Sequence, residues 1–549
     1  MSSSITRRRW LAAAAGWPAC ARARAPVPAA AAGAPLLEGF DGHRFPVDST
    51  DPLLRCYYDQ GVLLQFGFNP AEAARSFAAV TRLDPQCAGG WWALAWALGP
   101  NINSDMAAAS AAVVDDALRR ARRCAARSGA LQAALIEALA LRHPAVGVVD
   151  EPAYAQRMRE LARRHPRDAM VALLAAESLL NLHPYDWWTD DGAARPWTPE
   201  IEALLAHALT LRPLLPGADH YWIHLQEGSR HPARALPSAH RLVHAVPGSG
   251  HLLHMPSHVF MRVGRYDDAI RSNQRAIEAD RRYLAQVDVQ GAYRVGYVAH
   301  NHDFLWAAAG MAGRRRLALD AAQAALPAAC GAAGSDRSSA IVQQYAVLPY
   351  FTRVRFGLWR ELLHDTLPPD TPGAYPLAIW HYAQGTALVR TGRIDEAARA
   401  LERLESTAAS GELQGLRIKQ VNPASAIVRI AVATLRADLG AARGDPRAAL
   451  AGLAQATHIE DALAADEPHL WLAPTRHALG AGLLAADQPA QAERVYREDL
   501  AHYPDNGWSL GGLALALERQ QRPQAARAAA GRARAAFHGA EALPAGSRF

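Results

Sequence analysis

A helix stop followed at once by a helix start recurs along this chain, and no other feature restricts its fold as tightly. The clearest example begins with Tyr57, Gly61 and Leu64, passes through Gly67-Phe68-Asn69, continues with Ala73 and Phe77, and closes at Asp84-Pro85. Large and small residues at these offsets let two antiparallel helices approach closely, and the proline ends the second one. The same punctuation returns. Gly264-Arg265-Tyr266 precedes Asp267-Asp268-Ala269, and Thr391-Gly392-Arg393 precedes Ile394-Asp395-Glu396-Ala397. Gly444-Asp445-Pro446 and Asp487-Gln488-Pro489 each precede an alanine-rich start, and further stops fall at Gly313, Gly357 and Arg522-Pro523.

This is the tetratricopeptide pattern, whose period is about 34 residues. The spacing is uneven, which predicts degenerate repeats. The expected fold is all-α, with tetratricopeptide-like helical hairpins forming a curved or closed superhelix over residues 51–549 as a single α-solenoid. Such an array needs no single core, because each repeat packs on its neighbours. Composition agrees: the chain is 50% hydrophobic, Ala and Leu dominate, and alternating strand-like runs are rare.

The first 25 residues read as an address. Thr6-Arg7-Arg8-Arg9-Trp10-Leu11 leads into Ala12 to Ala15, and small residues follow around Ala21 to Ala25. Basic, apolar and small-residue regions in this order predict a signal peptide of the twin-arginine type, and therefore a periplasmic or secreted protein. Residues 26–50 read as a flexible Ala/Pro-rich lead-in. Arg7, Arg8, Arg9, Arg22 and Arg24 account for all but one of the net +6 charges. The rest of the chain has no basic stripe with interleaved aromatics, so no nucleic-acid partner is expected. No apolar run is long enough for a membrane span.

Five cysteines are present, at positions 20, 56, 87, 124 and 330, with no C-x-x-C pair, which argues against a thiolate zinc site. Cys56 and Cys87 lie where one helical hairpin would bring them close, so a disulfide between them is left open.

The histidines carry the functional signal. There are 22, and they cluster in residues 177–306, the least repeat-like part of the chain. His220, His224 and Glu227 share one helical face at i, i+4, i+7. Two imidazoles four apart can grip one metal ion, and Glu227 is then a further ligand, an orienting partner or a general base. His251, His254 and His258 follow. Pro256 belongs in a first helical turn, which places a helix start near Met255, His254 at its mouth and His251 in the preceding loop. His300 and His302 are third, pointing about 200° apart on a helix. His207, His231, His240 and His244 are expected at the surface. Imidazole and carboxylate ligands suit Zn, Cu, Fe or Mn. In a hydrolytic site Glu227 or Glu177 would be the base, and a redox site would need an open position for oxygen. The alternatives are a non-catalytic scaffold with a protein or peptide in a concave groove, and a reversible metal carrier. Histidines more than about 10 Å apart would exclude both metal readings. The small-molecule substrate is not specified by any motif.

From about Tyr57 to Trp508 the chain resembles a bacterial family of tetratricopeptide-like proteins. The segments that carry the resemblance are Phe66 to Asn69 with Ala71-Glu72-Ala73, Leu98 to Asn103, and Asn181 to Pro184. They continue with His220 to Glu227, the His251-to-Phe260 segment, His300-Asn301, and Glu467-Pro468 with Trp471, Pro474 and Arg476. Tyr496 to Leu500 and Asn506 to Leu510 complete them. The resemblance implies the repeat fold and a shared histidine-lined cavity. Relatives often carry histidine where this chain has Pro70 and Asp303, which implies an altered ligand set here.

Overall fold

The computed structural model describes residues 33–549 apart from 190–191, 288–292, 331–338, 369–370, 372, 420, 465 and 542–543. The leader, and the part of the lead-in up to residue 32, lie outside the described residues. The described chain is almost entirely α-helical, with one two-stranded antiparallel pair, Arg417–Ile418 against Asn422–Pro423. Among the described residues no helix is long and apolar enough to cross a membrane.

The contacts divide the chain into two compact units. One runs to Trp187 and adds Pro196–Ala218 and Ala245–Ser249; the other comprises Trp188–Arg195, Asp219–His244 and Gly250–Phe549.

In the first unit, the hairpin at Tyr57 forms as the punctuation predicts. Helix Pro52–Phe66 is capped by Asp51, whose side chain accepts from the Leu53 and Leu54 amides. It stops at Gly67. Asn69 caps the next helix, Pro70–Leu83, through the Glu72 amide. Pro70 therefore stands at a first helical position, where its missing N–H costs nothing. The two helices meet where Phe77 covers Gly61: a Cβ at Gly61 would lie 2.5 Å from the Phe77 ring. Cys87 is a free, buried thiol, so the open pairing with Cys56 is not made.

In the second unit the same grammar builds the pairs Ala374–Arg390 with Ile394–Ala408, and Ala424–Ala442 with Pro446–Asp461. Thr475–Ala485 pairs with Pro489–His502, and Gly507–Arg519 with Pro523–Ala536. Gly392 and Gly444 take the left-handed conformation, with φ of 77° and 83°, that lets a helix end and the chain turn back. These are helical hairpins of the tetratricopeptide type.

Candidate metal centre

His220, His224, Glu227, His251, His254, His258 and His300 all belong to the second unit. His220, His224 and Glu227 lie in helix Pro216–Glu227. His251 and His254 lie in Gly250–His254, which runs through a helical Met255 (φ −51°, ψ −37°) into Pro256–Arg262. The expected helix start near Met255 is found; the expected loop before it is corrected, because His251 and His254 already lie on a short helix of their own. Pro256 stands at the first position of Pro256–Arg262, where its missing N–H costs nothing. His251 is thus on the helix, and His251, His254 and His258 share one face at i, i+3, i+7. His300 opens helix Ala299–Met311, which follows a π-helical turn at Arg294–Val298. Such wide turns recur at functional sites because they re-aim the residues after them.

Helix Tyr266–Leu284 supports this face. Asn273 Oδ1 lies 2.7 Å from His254 Nδ1, and Ser272 donates to the Leu253 carbonyl. Asp280 accepts from Asn301 Nδ2 and the Tyr293 hydroxyl at 2.7 and 2.9 Å. A Cβ at Gly250 would come within 2.1 Å of the Asp280 carboxylate, so only glycine fits there.

The rings gather closely. His220 lies 4.8 Å from His224 and 4.9 Å from His251, centroid to centroid. His254 lies 4.8 Å from both His258 and His300. The ligand atoms of His220, His224 and His251 are all within 4.8 Å of one another, as are those of His254, His258 and His300. The 10 Å separation that would exclude a metal site is not found. Two facing pairs are closer still: His220 and His251 Nε2 are 3.1 Å apart, and His254 and His258 Nε2 are 2.9 Å apart. Two nitrogens on one tetrahedral ion, each ~2.0–2.1 Å from it, are about 3.3 Å apart.

Carboxylates hold the outer nitrogens. Glu227 reaches His224 Nδ1 at 3.1 Å and His258 Nδ1 at 2.8 Å. Glu467 also bonds His258 Nδ1. This is the arrangement in which a carboxylate fixes the tautomer and turns Nε2 toward a metal. Glu227 and Glu467 also form a group with His258 that meets the same 4.8 Å limit. That group needs His258 Nδ1, the nitrogen facing away from His254.

The charges follow from burial and neighbours. Burial, and then the surrounding imidazoles, hold His251, His254 and His300 well below the ordinary histidine value. They are neutral at pH 7, the form that coordinates metals. His258 differs. Burial works against its charge, but Glu227 and Glu467 outweigh it and push the imidazole up to about 10. Burial likewise opposes the Glu227 carboxylate, while His258 and His224 hold it far below the usual carboxylate range.

The other expected residues join neither three-histidine set. His302 is two residues past His300 and joins neither three-histidine set. Burial lowers it to about 4, and its Nδ1 has no hydrogen-bond partner among the described residues. Glu177 lies in the first unit, buried, with its carboxylate receiving the Trp96 indole N–H at 3.2 Å. His207, His231, His240 and His244 are exposed, as expected. Asp303 pairs with Lys419, whose Nζ is 3.4 Å from both Asp303 and Asp466.

Several residues of the site carry no local sequence signal. Glu467 is 209 residues from His258. Asn273 is an ordinary polar residue in a helix. Phe304 packs 4.4–4.9 Å from the rings of His254, His258 and His300. Lys419 did leave a compositional trace, as the only lysine in the chain. It stands at the tip of the strand pair with φ 48° and donates to the Glu467 carbonyl at 2.8 Å. Burial disfavours its charge, but Asp466 and Asp303 more than restore it. It thereby ties the Glu467 segment down. Phe304 and Glu467 also line a cleft with Met261, Trp471, Leu472 and Tyr503; about 560 Å³ of empty space lies in it, counting the part open to solvent.

No family model matches the sequence, and none of the curated proteins does. Solved structures share its helical repeat character. The human IFIT1 dimer with PPP-AAAA is 10% identical over 87% of this chain and 90% of that one, with a TM-score of 0.30. The same protein with m7Gppp-AAAA is 11% identical over 89% and 90%, with a TM-score of 0.31. The TPR domain of P58(IPK) is 12% identical over 89% and 99%, with a TM-score of 0.23. At these scores the likeness carries no argument about ligands or partners.

Proposed function

We propose that this chain is an exported protein built around a histidine-held transition-metal site, with a metal-dependent reaction, oxidative or hydrolytic, on a small molecule or peptide. One observation carries the reading. Six imidazoles from three helical segments turn ligand atoms toward one another within coordination reach, five of them on buried residues. Burying so many polar rings is unfavourable unless each finds a partner, and a metal ion satisfies several at once. Glu227 and Asn273, set against outer nitrogens, are the supports such a site requires. The His251-to-Phe260 segment is read as the signature of a family with this site.

Glu227 acts in this reading as an orienting carboxylate, since both its oxygens face imidazole nitrogens. The cleft beside Phe304 suits a substrate with an apolar part. Export by the twin-arginine route fits a protein that takes up its metal before crossing the membrane.

Elemental analysis of the purified mature protein tests the proposal, beside a His224→Ala/His258→Ala variant with unchanged helical circular dichroism. A transition metal in whole-number ratio to the chain, lost in the variant, is the expected result. Absence of metal from the wild type, even after reconstitution with Zn, Cu, Fe and Mn salts, would sink it. The scaffold reading would then stand, with the rings as mutual hydrogen-bonders.

A further inference from the structure

We infer that the six histidines hold two metal ions side by side, one on His220, His224 and His251 and the other on His254, His258 and His300. The inference rests on the metal-site reading above and goes beyond it in number, ligand division and chemistry.

The division is in the geometry. The ligand atoms close into two sets of three, each within 4.8 Å, rather than into one set of six. Each set contains a facing Nε2 pair, at 3.1 Å in one and 2.9 Å in the other, close to the edge of a tetrahedral site. The sets also adjoin. His224 lies 6.1 Å from His258, and His251 lies 5.9 Å from His254, between ring centroids.

Glu227 joins them. Its carboxylate spans from His224 Nδ1 in the first set to His258 Nδ1 in the second. A single anionic side chain therefore aims one ligand of each ion, and the two half-sites share a support. Their sequence origin is also shared, because His251 ends the first set and His254 starts the second on one helical face.

Three imidazoles leave a fourth position open on a tetrahedral ion, as catalytic sites require. Two such ions held on these residues would supply Lewis acidity to a small oxygen-donor ligand such as water, hydroxide or dioxygen. A first shell made only of imidazole suits copper or zinc, whereas Mg and Mn prefer carboxylate and carbonyl oxygen.

The test uses the full mature chain, stripped of metal, loaded with Cu(II), desalted and assayed for copper by elemental analysis and electron paramagnetic resonance. The wild type should retain two equivalents. His220→Ala and His254→Ala should retain one each. The wild-type resonance should integrate to clearly less than its copper content, because the two ions couple, and each single variant should give one full spin. A wild-type content of one equivalent overturns the pair while leaving a metal site in place. A content of zero overturns both readings. Should an alanine variant fail to fold, the wild-type spectrum decides alone, and two full uncoupled spins would overturn the side-by-side placement.

Discussion

Two helical hairpins, one in each unit, obey the same local rules and differ in what their polar contacts do. In Pro52–Phe66 against Pro70–Leu83 the joint is Phe77 seated on Gly61, with Tyr58 edge-on to the Phe77 ring at 5.7 Å. In the hairpin from Gly250 to Leu284 the joint carries several polar contacts: Asn273 on His254, Ser272 on the Leu253 carbonyl, and Asp280 against Gly250. Apolar packing is present too, with Leu253 against Ala276 and Ala279. The first hairpin is stabilised by packing. The second adds to its packing hydrogen bonds that aim imidazoles. The repeat grammar thus sets where helices begin and end, and leaves the inner faces open to either use.

The contrast can be broken most strongly at Phe77. Phe77→Ala should destabilise the protein by about 3–5 kcal/mol, since a fully buried ring is replaced by a cavity. Denaturant unfolding measures the loss, and metal per folded chain should stay unchanged. If metal is lost along with stability, the two regions are not independent in the way the contrast implies.

The next effect concerns Asp280. Burial raises its carboxyl, partly offset by the Tyr293 and Asn301 hydrogen bonds, from 3.8 to about 7. A raised acid pKa means that the folded state binds the proton more tightly than the unfolded state. Stability should therefore fall as pH rises from about 4 to about 7, by a few kcal/mol at most, and then level off. Asp280→Asn should remove that part of the slope in urea midpoints measured across this range. An unchanged slope would mean that the carboxylate is not paired and buried as described.

A smaller effect sharpens the comparison on the polar side. Asn273→Ala removes the partner of His254 Nδ1 and should weaken metal binding roughly 10–100-fold, as loss of outer-shell support does. Competition with a chelator of known affinity reads this directly. An unaltered affinity would reduce Asn273 to a helix-packing residue. The smallest effect is at a cap. Asp51→Ala should cost about 1 kcal/mol through the unsatisfied Leu53 and Leu54 amides, with no change at the histidines.

How much of this was legible depends on the range of the interaction. Helix ends were readable because Gly67, Asn69, Gly392 and Asp445 act on amides a few residues away. The shared face of His220, His224 and Glu227 was readable for the same reason. Pro256 does mark a first turn as read, but His251 was misplaced because a separate short helix, Gly250–His254, stands immediately before it. Glu467 and Asn273 could not be found from spacing, since they reach the rings through the fold. Glu177, named for its acidity in the histidine-rich stretch, proved to face the Trp96 indole instead. The expected leader and export signal fall outside the described residues.

Lys419 has a practical consequence for anyone handling this protein. Its amine is the only lysine amine on the chain and is enclosed by Asp303 and Asp466, with the side chain 14% exposed. Succinimidyl labels and amine cross-linkers therefore find no accessible lysine while the fold is intact. Acylation at Lys419, followed over time by mass spectrometry, becomes a single-site clock for the opening of the strand-pair tip beside Glu467.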